Sequence, residues 1–129
     1  MSDSIHRHRV LVVEDEDNIA LAIEYIVTRE GWGHDRIANG GDAVRRIRDT
    51  RPDVVLLDVM LPEVSGYEIC RQVREDPTLG TVRILMMTAR GSGAERAKGL
   101  QHGADDIVLK PFDMKDLRTS IRRLLPQEA

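Results

Sequence analysis

Five side chains that could do chemistry each lie where a short apolar run ends: Glu14, Asp15, Asp58, Thr88 and Lys110. Three carboxylates held together would repel one another unless a hard cation lay among them. Mg²⁺ is the obvious candidate, because it takes oxygen ligands and commonly binds one or two carboxylates plus a phosphate. A carboxylate can also accept a phosphoryl group as an acyl phosphate. The cation and the lysine could then neutralise charge on the transferred oxygens, and the threonine hydroxyl could hydrogen-bond one of them.

The apolar runs predict five short strands, and helical periodicity predicts a helix after each strand. The predicted strands cover residues 9–14, 33–37, 54–57, 82–87 and 106–109. The predicted helices cover residues 18–30, the stretch after the turn at 39–41, residues 65–74, residues 94–102 and the segment that begins at Asp113. Helices of this length can serve as right-handed crossovers, which favours an α/β fold with a doubly wound parallel sheet. Such sheets bind ligands at the carboxyl ends of their strands, where the five side chains should meet.

Apolar spacing also predicts which residues of each helix face the core. The inward residues of the fourth helix are small, so we expect its packing to be thin. The predicted inward residues are Ala94, Ala97 and Leu100 in the fourth helix, and Met114, Leu117, Ile121 and Leu124 in the last. Asp17 and Asp113 are predicted to cap the first and last helices at their amino ends.

Length and composition restrict the class of protein. The chain has 129 residues, 41% hydrophobic and 32% charged, which is typical of a single globular domain. Its net charge of -3 argues against direct nucleic acid binding or attraction to an anionic membrane. No apolar run approaches the roughly 18 residues that membrane insertion requires. Cys70 is the single cysteine and the sequence starts without a secretory apolar segment, so we expect a cytoplasmic protein whose Cys70 packs in the core.

Several motifs in order resemble the receiver domain of two-component response regulators, in the manner of single-domain chemotaxis receivers. They are Val12-Val13-Glu14-Asp15, Asp58-Val59-Met60-Leu61-Pro62 followed by Gly66, Met87-Thr88-Ala89, Gly103-Ala104-Asp105 and Lys110-Pro111-Phe112. The resemblance runs from Val10 to about Leu125. It implies a flavodoxin-like (βα)5 fold with strand order 2-1-3-4-5. It also implies a receiver domain over residues 9–125, between a flexible tail at 1–8 and a short tail at 126–129.

The resemblance assigns a role to each candidate residue. Asp58 would be the phosphoacceptor, Lys110 would pair with the phosphoryl group and Thr88 would be the switch hydroxyl. Asp15 and Asp58 would bind Mg²⁺ together with the main-chain carbonyl of Met60, and Glu14 would act nearby through water. The Lys110-Pro111 peptide bond is expected to be cis.

Some positions depart from the family pattern. Ile107 lies where many receivers carry an aromatic side chain that rotates inward as the threonine moves, and isoleucine has no ring to rotate. His34 lies where the second strand usually has an aliphatic residue. Met60 and Arg90, two residues beyond Asp58 and Thr88, lie where receivers vary the lifetime of the phosphoryl group.

The resulting hypothesis is a phosphorelay switch, not an enzyme acting on other substrates. A sensor histidine kinase or a histidine phosphotransfer protein would supply the phosphoryl group. The added charge would reshape the face formed by the fourth helix, the fifth strand and the fifth helix, where a downstream protein target would bind. Because the sequence ends at Ala129, we expect output through protein binding, unless the chain is part of a longer regulator. A phosphorylation-dependent dimer, as in some relatives, stays open.

Three alternatives stay open at this stage. A haloacid-dehalogenase-type phosphatase would use Asp58 as nucleophile, but it needs a second aspartate two residues on, where this chain has Met60. A flavin or nucleotide binder would need a glycine-rich loop after the first strand, and none is present there. A receiver fold could also act as an interaction module without phosphorylation, although the full set of acids, threonine and lysine argues against it.

Overall fold

Five parallel strands form a single sheet with helices on both faces. The structure, a computed structural model, describes residues 8–89 and 92–126. The strands are β1 (Arg9–Val13), β2 (Gly33–Ile37), β3 (Val54–Asp58), β4 (Arg83–Thr88) and β5 (Asp106–Leu109). The helices are α1 (Asp17–Arg29), α2 (Ala43–Thr50), α3 (Gly66–Glu75), α4 (Gly93–Gln101) and α5 (Met114–Leu124), with 3-10 turns at Gly40–Asp42 and Pro77–Leu79. The strand order is β2-β1-β3-β4-β5, which confirms the predicted doubly wound fold.

The strand register places the ends of β1, β3 and β4 side by side. Val13 is opposite Leu57 on β3, and Asp58 is opposite Met87 on β4. Thr88 in turn is opposite Leu109 on β5. The candidate residues that follow these positions therefore lie along one edge of the sheet.

Two aliphatic cores cover the two faces of the sheet. One core packs α2 and α3 against the sheet through residues such as Ile47, Ile69 and Val73. The other packs α1 and α5 against the opposite face through residues such as Ile23, Leu117 and Ile121. Strand β3 is buried along its whole length, as expected for a central strand that faces both cores. Cys70 is buried as predicted, and burial raises the pKa of its thiol to about 11.

The prediction for the inward side of α4 is wrong. Ala94, Ala97 and Leu100 are exposed, and Gly99 is the one buried residue of this helix. A Cβ at Gly99 would fall against the side chains of Ile107 and Met86, so the helix approaches the sheet closely at that point. The apolar pattern missed this contact because glycine has no side chain to mark a buried face.

The ends of α1 and α5 also differ from the sequence prediction. Asp17 is the first residue of α1 and not its cap, because its carboxylate pairs with Arg36 on β2; Glu16 lies at the cap position. Asp113 does cap α5, and its carboxylate accepts a hydrogen bond from the main-chain N–H of Lys115. Met114 is the first residue of α5 and is 43% exposed, so the core contacts of this helix begin one turn later, at Leu117.

Some sequence predictions fall on residues that the structure does not describe. The predicted flexible tail lies outside the described residues except for His8, and the predicted tail at 126–129 does so except for Pro126. Arg90 also lies outside them. Within residues 8–89 and 92–126, no helix has the length and apolar character needed to span a membrane.

Candidate functional site

The candidate residues converge at the carboxyl edge of the sheet. Glu14, Asp15 and Asp58 each offer a carboxylate oxygen, and these oxygens lie within 4.8 Å of one another. Glu14 is fully buried and Asp58 is 5% exposed, whereas Asp15 is exposed to solvent. The three acids therefore form a pocket with a buried floor and one accessible side.

Lys110 extends from the end of β5 into this acidic pocket. Its Nζ lies 2.8 Å from Glu14 Oε1 and 3.2 Å from Asp58 Oδ1. Burial alone would lower the pKa of Lys110, but the two carboxylates outweigh burial and the pKa is raised above its usual value. The ammonium is thus held charged between two acids that it partly neutralises.

Glu14 has a carboxyl group with a raised pKa. Burial is the main cause, and the hydrogen bond from Lys110 offsets only part of it. The other oxygen of Glu14 accepts a hydrogen bond from the main-chain N–H of Glu16, at 3.0 Å. These contacts fix the orientation of Glu14 within the pocket.

The donor set fits a hard divalent cation. Three carboxylates with one lysine leave an excess of negative charge in a small space, and oxygen ligands are those that Mg²⁺ prefers. The carboxylates of Asp15, which is exposed, and of Asp58 could hold the ion, and the carboxylate of Glu14 is buried beside them. The bound ion would withdraw charge from the oxygens of a transferring phosphoryl group.

Thr88 lies on the strand next to that of Asp58, and Met60 lies in the loop that follows Asp58. Thr88 ends β4 and is 6% exposed, and its main-chain carbonyl accepts a hydrogen bond from the N–H of Lys110 at 2.8 Å. Met60 is 80% exposed at the mouth of the pocket, and its N–H points toward Asp58 Oδ1 at 3.4 Å. The Lys110-Pro111 peptide bond is cis, as predicted.

Ile107, the residue that departs from the aromatic pattern, is buried between the sheet and α4. It is 6% exposed, and its Cδ1 occupies the space beside Gly99. Ile107 is therefore not part of the acidic pocket. It instead lies at the contact between β5 and the helix that follows β4.

Gly66 allows α3 to begin directly beside the phosphoacceptor candidate. A Cβ at this position would fall against the main-chain carbonyl oxygen of Asp58, and the N–H of Gly66 donates to the carbonyl of Val59 at 2.9 Å. Ser65 caps the helix by accepting a hydrogen bond from Glu68 N–H. The segment after Asp58 is consequently held close to the sheet.

Sequence reasoning missed Arg36, which contacts the acidic loop between β1 and α1. Its guanidinium donates two hydrogen bonds to the main-chain carbonyl of Glu14 and pairs with Asp17. The available signal was a charged residue at the second-last position of a short edge strand. A single basic residue at such a position is usually solvated, so the pattern alone did not reveal the contact.

Sequence comparison relates the chain to one family over most of its length. The profile of the response regulator receiver domain matches residues 10–122. The phosphate regulon transcriptional regulatory protein PhoB of Rhizobium meliloti is 41% identical over 117 residues, which are 91% of this chain and 52% of that protein. The chain thus spans about half the length of this curated relative.

Solved structures give the same relation. The chemotaxis response regulator CheY4 of Vibrio cholerae superposes with a TM-score of 0.86 at 28% identity, over 92% of this chain and 98% of that one. The receiver domain of the sensor histidine kinase PA1611 from Pseudomonas aeruginosa PAO1 superposes with a TM-score of 0.83 at 31% identity, over 91% and 96% of the two chains. That structure has a magnesium ion coordinated in its active site cleft.

Proposed function

The chain belongs to the response regulator receiver family, so we propose that Asp58 accepts a phosphoryl group from a phosphohistidine and thereby switches a protein-binding face. The observation that carries the proposal is the pocket itself, in which Lys110 lies 3.2 Å from Asp58 beside two further carboxylates. The donor would be a sensor histidine kinase or a histidine phosphotransfer protein. The exchange would take place in the cytoplasm, where ATP supplies such donors.

Each residue has a part in the transfer. An oxygen of Asp58 forms a bond to phosphorus, while the bond from phosphorus to the donor imidazole nitrogen breaks and its electron pair returns to the ring. Lys110 stabilises charge on the transferred oxygens, and Thr88 donates its hydroxyl hydrogen to one of them afterwards. We assign Mg²⁺ binding to Asp15, Asp58 and the main-chain carbonyl of Met60, with Glu14 acting through water.

The chain would act on its own aspartate and not turn over a separate substrate. The family to which it belongs is one of signalling proteins, and the residue two positions after Asp58 is Met60, which has no carboxyl group to serve as a general acid. Phosphorylation and later hydrolysis at Asp58 would be the only reactions that the pocket assists.

We propose that the output face comprises α4, β5 and α5. Its large exposed apolar residues are Leu100, Leu109 and Met114, which are 44%, 46% and 43% exposed. Gly99 is the single buried residue of α4, and this thin packing leaves the helix able to shift when Thr88 and Lys110 are drawn toward the phosphoryl group. A downstream protein would read that shift, and a second phosphorylated copy is the alternative occupant.

Intact-mass measurement after incubation with Mg²⁺ and acetyl phosphate tests the proposed chemistry. We expect the mass of one phosphoryl group to be gained, and the gain to be lost in Asp58→Asn or when Mg²⁺ is chelated. Asp53→Asn is a suitable control, since Asp53 lies at the opposite end of β3 and accepts a hydrogen bond from Arg9 N–H there. Absence of any gain from acetyl phosphate and from a phosphorylated kinase would contradict the proposal.

A further inference from the structure

Arg36 reaches the candidate metal site from the edge of the sheet. It lies on β2, the edge strand, in register with Val12 of β1. Its side chain is 23% exposed and extends past the end of β1 to the loop that carries Glu14 and Asp15. The cationic side chain of Arg36 thus contacts the acidic loop and does not contribute a group to the acidic pocket.

The guanidinium of Arg36 binds this loop at two points. Nε and Nη2 donate to the main-chain carbonyl oxygen of Glu14, at 3.1 Å and 2.8 Å. Nη1 lies 2.8 Å from Asp17 Oδ1, at the start of α1. Because the guanidinium is planar and rigid, three contacts from one group fix the loop relative to the edge strand.

The Asp17 contact also separates the acids of this segment. Asp17 is 83% exposed, so the ion pair with Arg36 contributes little to stability by itself. Its effect is to direct the Asp17 carboxylate toward β2. The neighbouring Asp15 then faces the pocket that it shares with Glu14 and Asp58.

We propose that Arg36 is a positioning residue for divalent cation binding, which it supports by holding the main chain at Glu14 so that Glu14 and Asp15 face the ion. The inference rests on the proposed function, since it concerns the same pocket. Groups that orient metal ligands without touching the metal commonly change its affinity by about 10–100-fold when removed.

Charge and positioning predict opposite results at this residue. Removal of a positive charge near three carboxylates should strengthen cation binding if Arg36 acts only through its charge. Loss of the hydrogen bonds to Glu14 should weaken cation binding if Arg36 acts by holding the loop. The direction of the change in affinity therefore identifies the role.

The test is Mg²⁺ titration followed by isothermal calorimetry and by amide NMR shifts in the loop. We expect Arg36→Met to bind Mg²⁺ about tenfold more weakly than the wild type. Arg36→Lys keeps the charge but cannot donate in the same fork, so it should also bind more weakly. At saturating Mg²⁺, both variants should reach the wild-type extent of phosphorylation by acetyl phosphate.

Arg46→Met is the matched control for charge. Arg46 lies on α2 and pairs with Asp35, the residue before Arg36 on β2, on the face of the sheet opposite to α1. We expect Mg²⁺ affinity in this variant to be unchanged or slightly higher. If Arg36→Met does not fold by circular dichroism, Arg36→Lys gives the decision.

Wild-type affinity in both Arg36 variants, or tighter binding in Arg36→Met, would overturn the inference. These outcomes are distinct from failure of the proposed function. If the proposed function were wrong, the wild-type protein itself would show no saturable Mg²⁺ binding, and the variants would not differ from it.

Discussion

Lys110 is the residue on which the charge balance of the pocket depends. It contacts Glu14 and Asp58, and the pKa of Glu14 is already raised by burial despite that contact. Without the ammonium, Glu14 would be a buried carboxylate with no cation beside it. Such a group releases its proton only at higher pH, so the folded state would hold the proton more tightly than the unfolded chain does.

Lys110→Met should therefore make stability depend more steeply on pH. The contribution of Glu14 is fully present below the ordinary carboxyl pKa of 4.5 and is lost as the pH rises through the raised pKa of the folded state. We expect the variant to lose more stability than the wild type does between pH 5 and pH 8. Urea unfolding in a chelator at the two pH values measures this difference.

The control for this prediction is Glu14→Gln in the Lys110→Met background. The amide does not titrate, so the added dependence on pH should disappear. An unchanged dependence in the double variant would mean that another group is responsible.

Thr88 should be needed for the response and not for the transfer. Thr88→Ala is expected to gain the phosphoryl mass to the wild-type extent, because the bond forms at Asp58. The change in amide exchange within α4 should be lost, since no hydroxyl is drawn toward the phosphoryl group. Thr88→Ser should retain it; a full response in Thr88→Ala would contradict the assigned role.

At the scale of elements, the helix α4 shows where sequence patterns fail. Its position in the chain was predicted, but its buried side was not, because the decisive residue is Gly99. Helical periodicity records side chains that need burial and is silent about a helix that approaches the sheet through a missing side chain. The contacts of Tyr67 with Lys98 of α4 and with His102, the residue after α4, could not be predicted from the sequence pattern either. Lys98 Nζ lies 4.5 Å from the ring centroid of Tyr67, and the centroids of the His102 and Tyr67 rings are 5.1 Å apart.

Gly99→Ala tests how closely α4 is held. The new methyl group would meet the Cδ1 of Ile107, which should cost about 1–3 kcal/mol and exceed the gain of about 1 kcal/mol in helix propensity. Ile107→Val removes that Cδ1. We expect the loss of unfolding free energy in the double variant to be about 1 kcal/mol smaller than the sum of the losses in the two single variants, as measured by urea unfolding.

Additive effects of the two substitutions would show that Gly99 and Ile107 do not share a tight contact. Ala97→Ser on the exposed side of α4 is the control, and it should change stability by less than about 0.5 kcal/mol.

At the scale of the whole molecule, the parallel sheet and the meeting of the five candidate residues followed from the sequence pattern, whereas the strand order followed from the resemblance to receiver domains. Glu14, Asp58, Thr88 and Lys110 lie at the ends of apolar runs, and a parallel sheet places such ends together. Contacts made by long side chains between distant parts of the chain could not be predicted from the sequence, as Arg36 shows. Its partners are a main-chain carbonyl and an aspartate 22 and 19 positions away, which no local pattern encodes.

Mg²⁺ should stabilise the folded molecule as a whole. An ion that binds only the folded state adds about 1.4 kcal/mol when present at ten times its dissociation constant, which corresponds to a few degrees in Tm. We expect this increase in the wild type and its loss in Asp15→Asn, measured by thermal unfolding with and without Mg²⁺. An equal increase in both proteins would indicate that the ion binds elsewhere.

The central claim is that a phosphoryl group on Asp58 alters the face formed by α4, β5 and α5. Hydrogen–deuterium exchange of the protein with and without acetyl phosphate, in Mg²⁺ and with occupancy checked by mass, tests it most directly. We expect slower exchange in residues 59–65 and altered exchange across α4 and β5, with no change in Asp58→Asn. Identical exchange in the two forms, at full occupancy, would contradict the account.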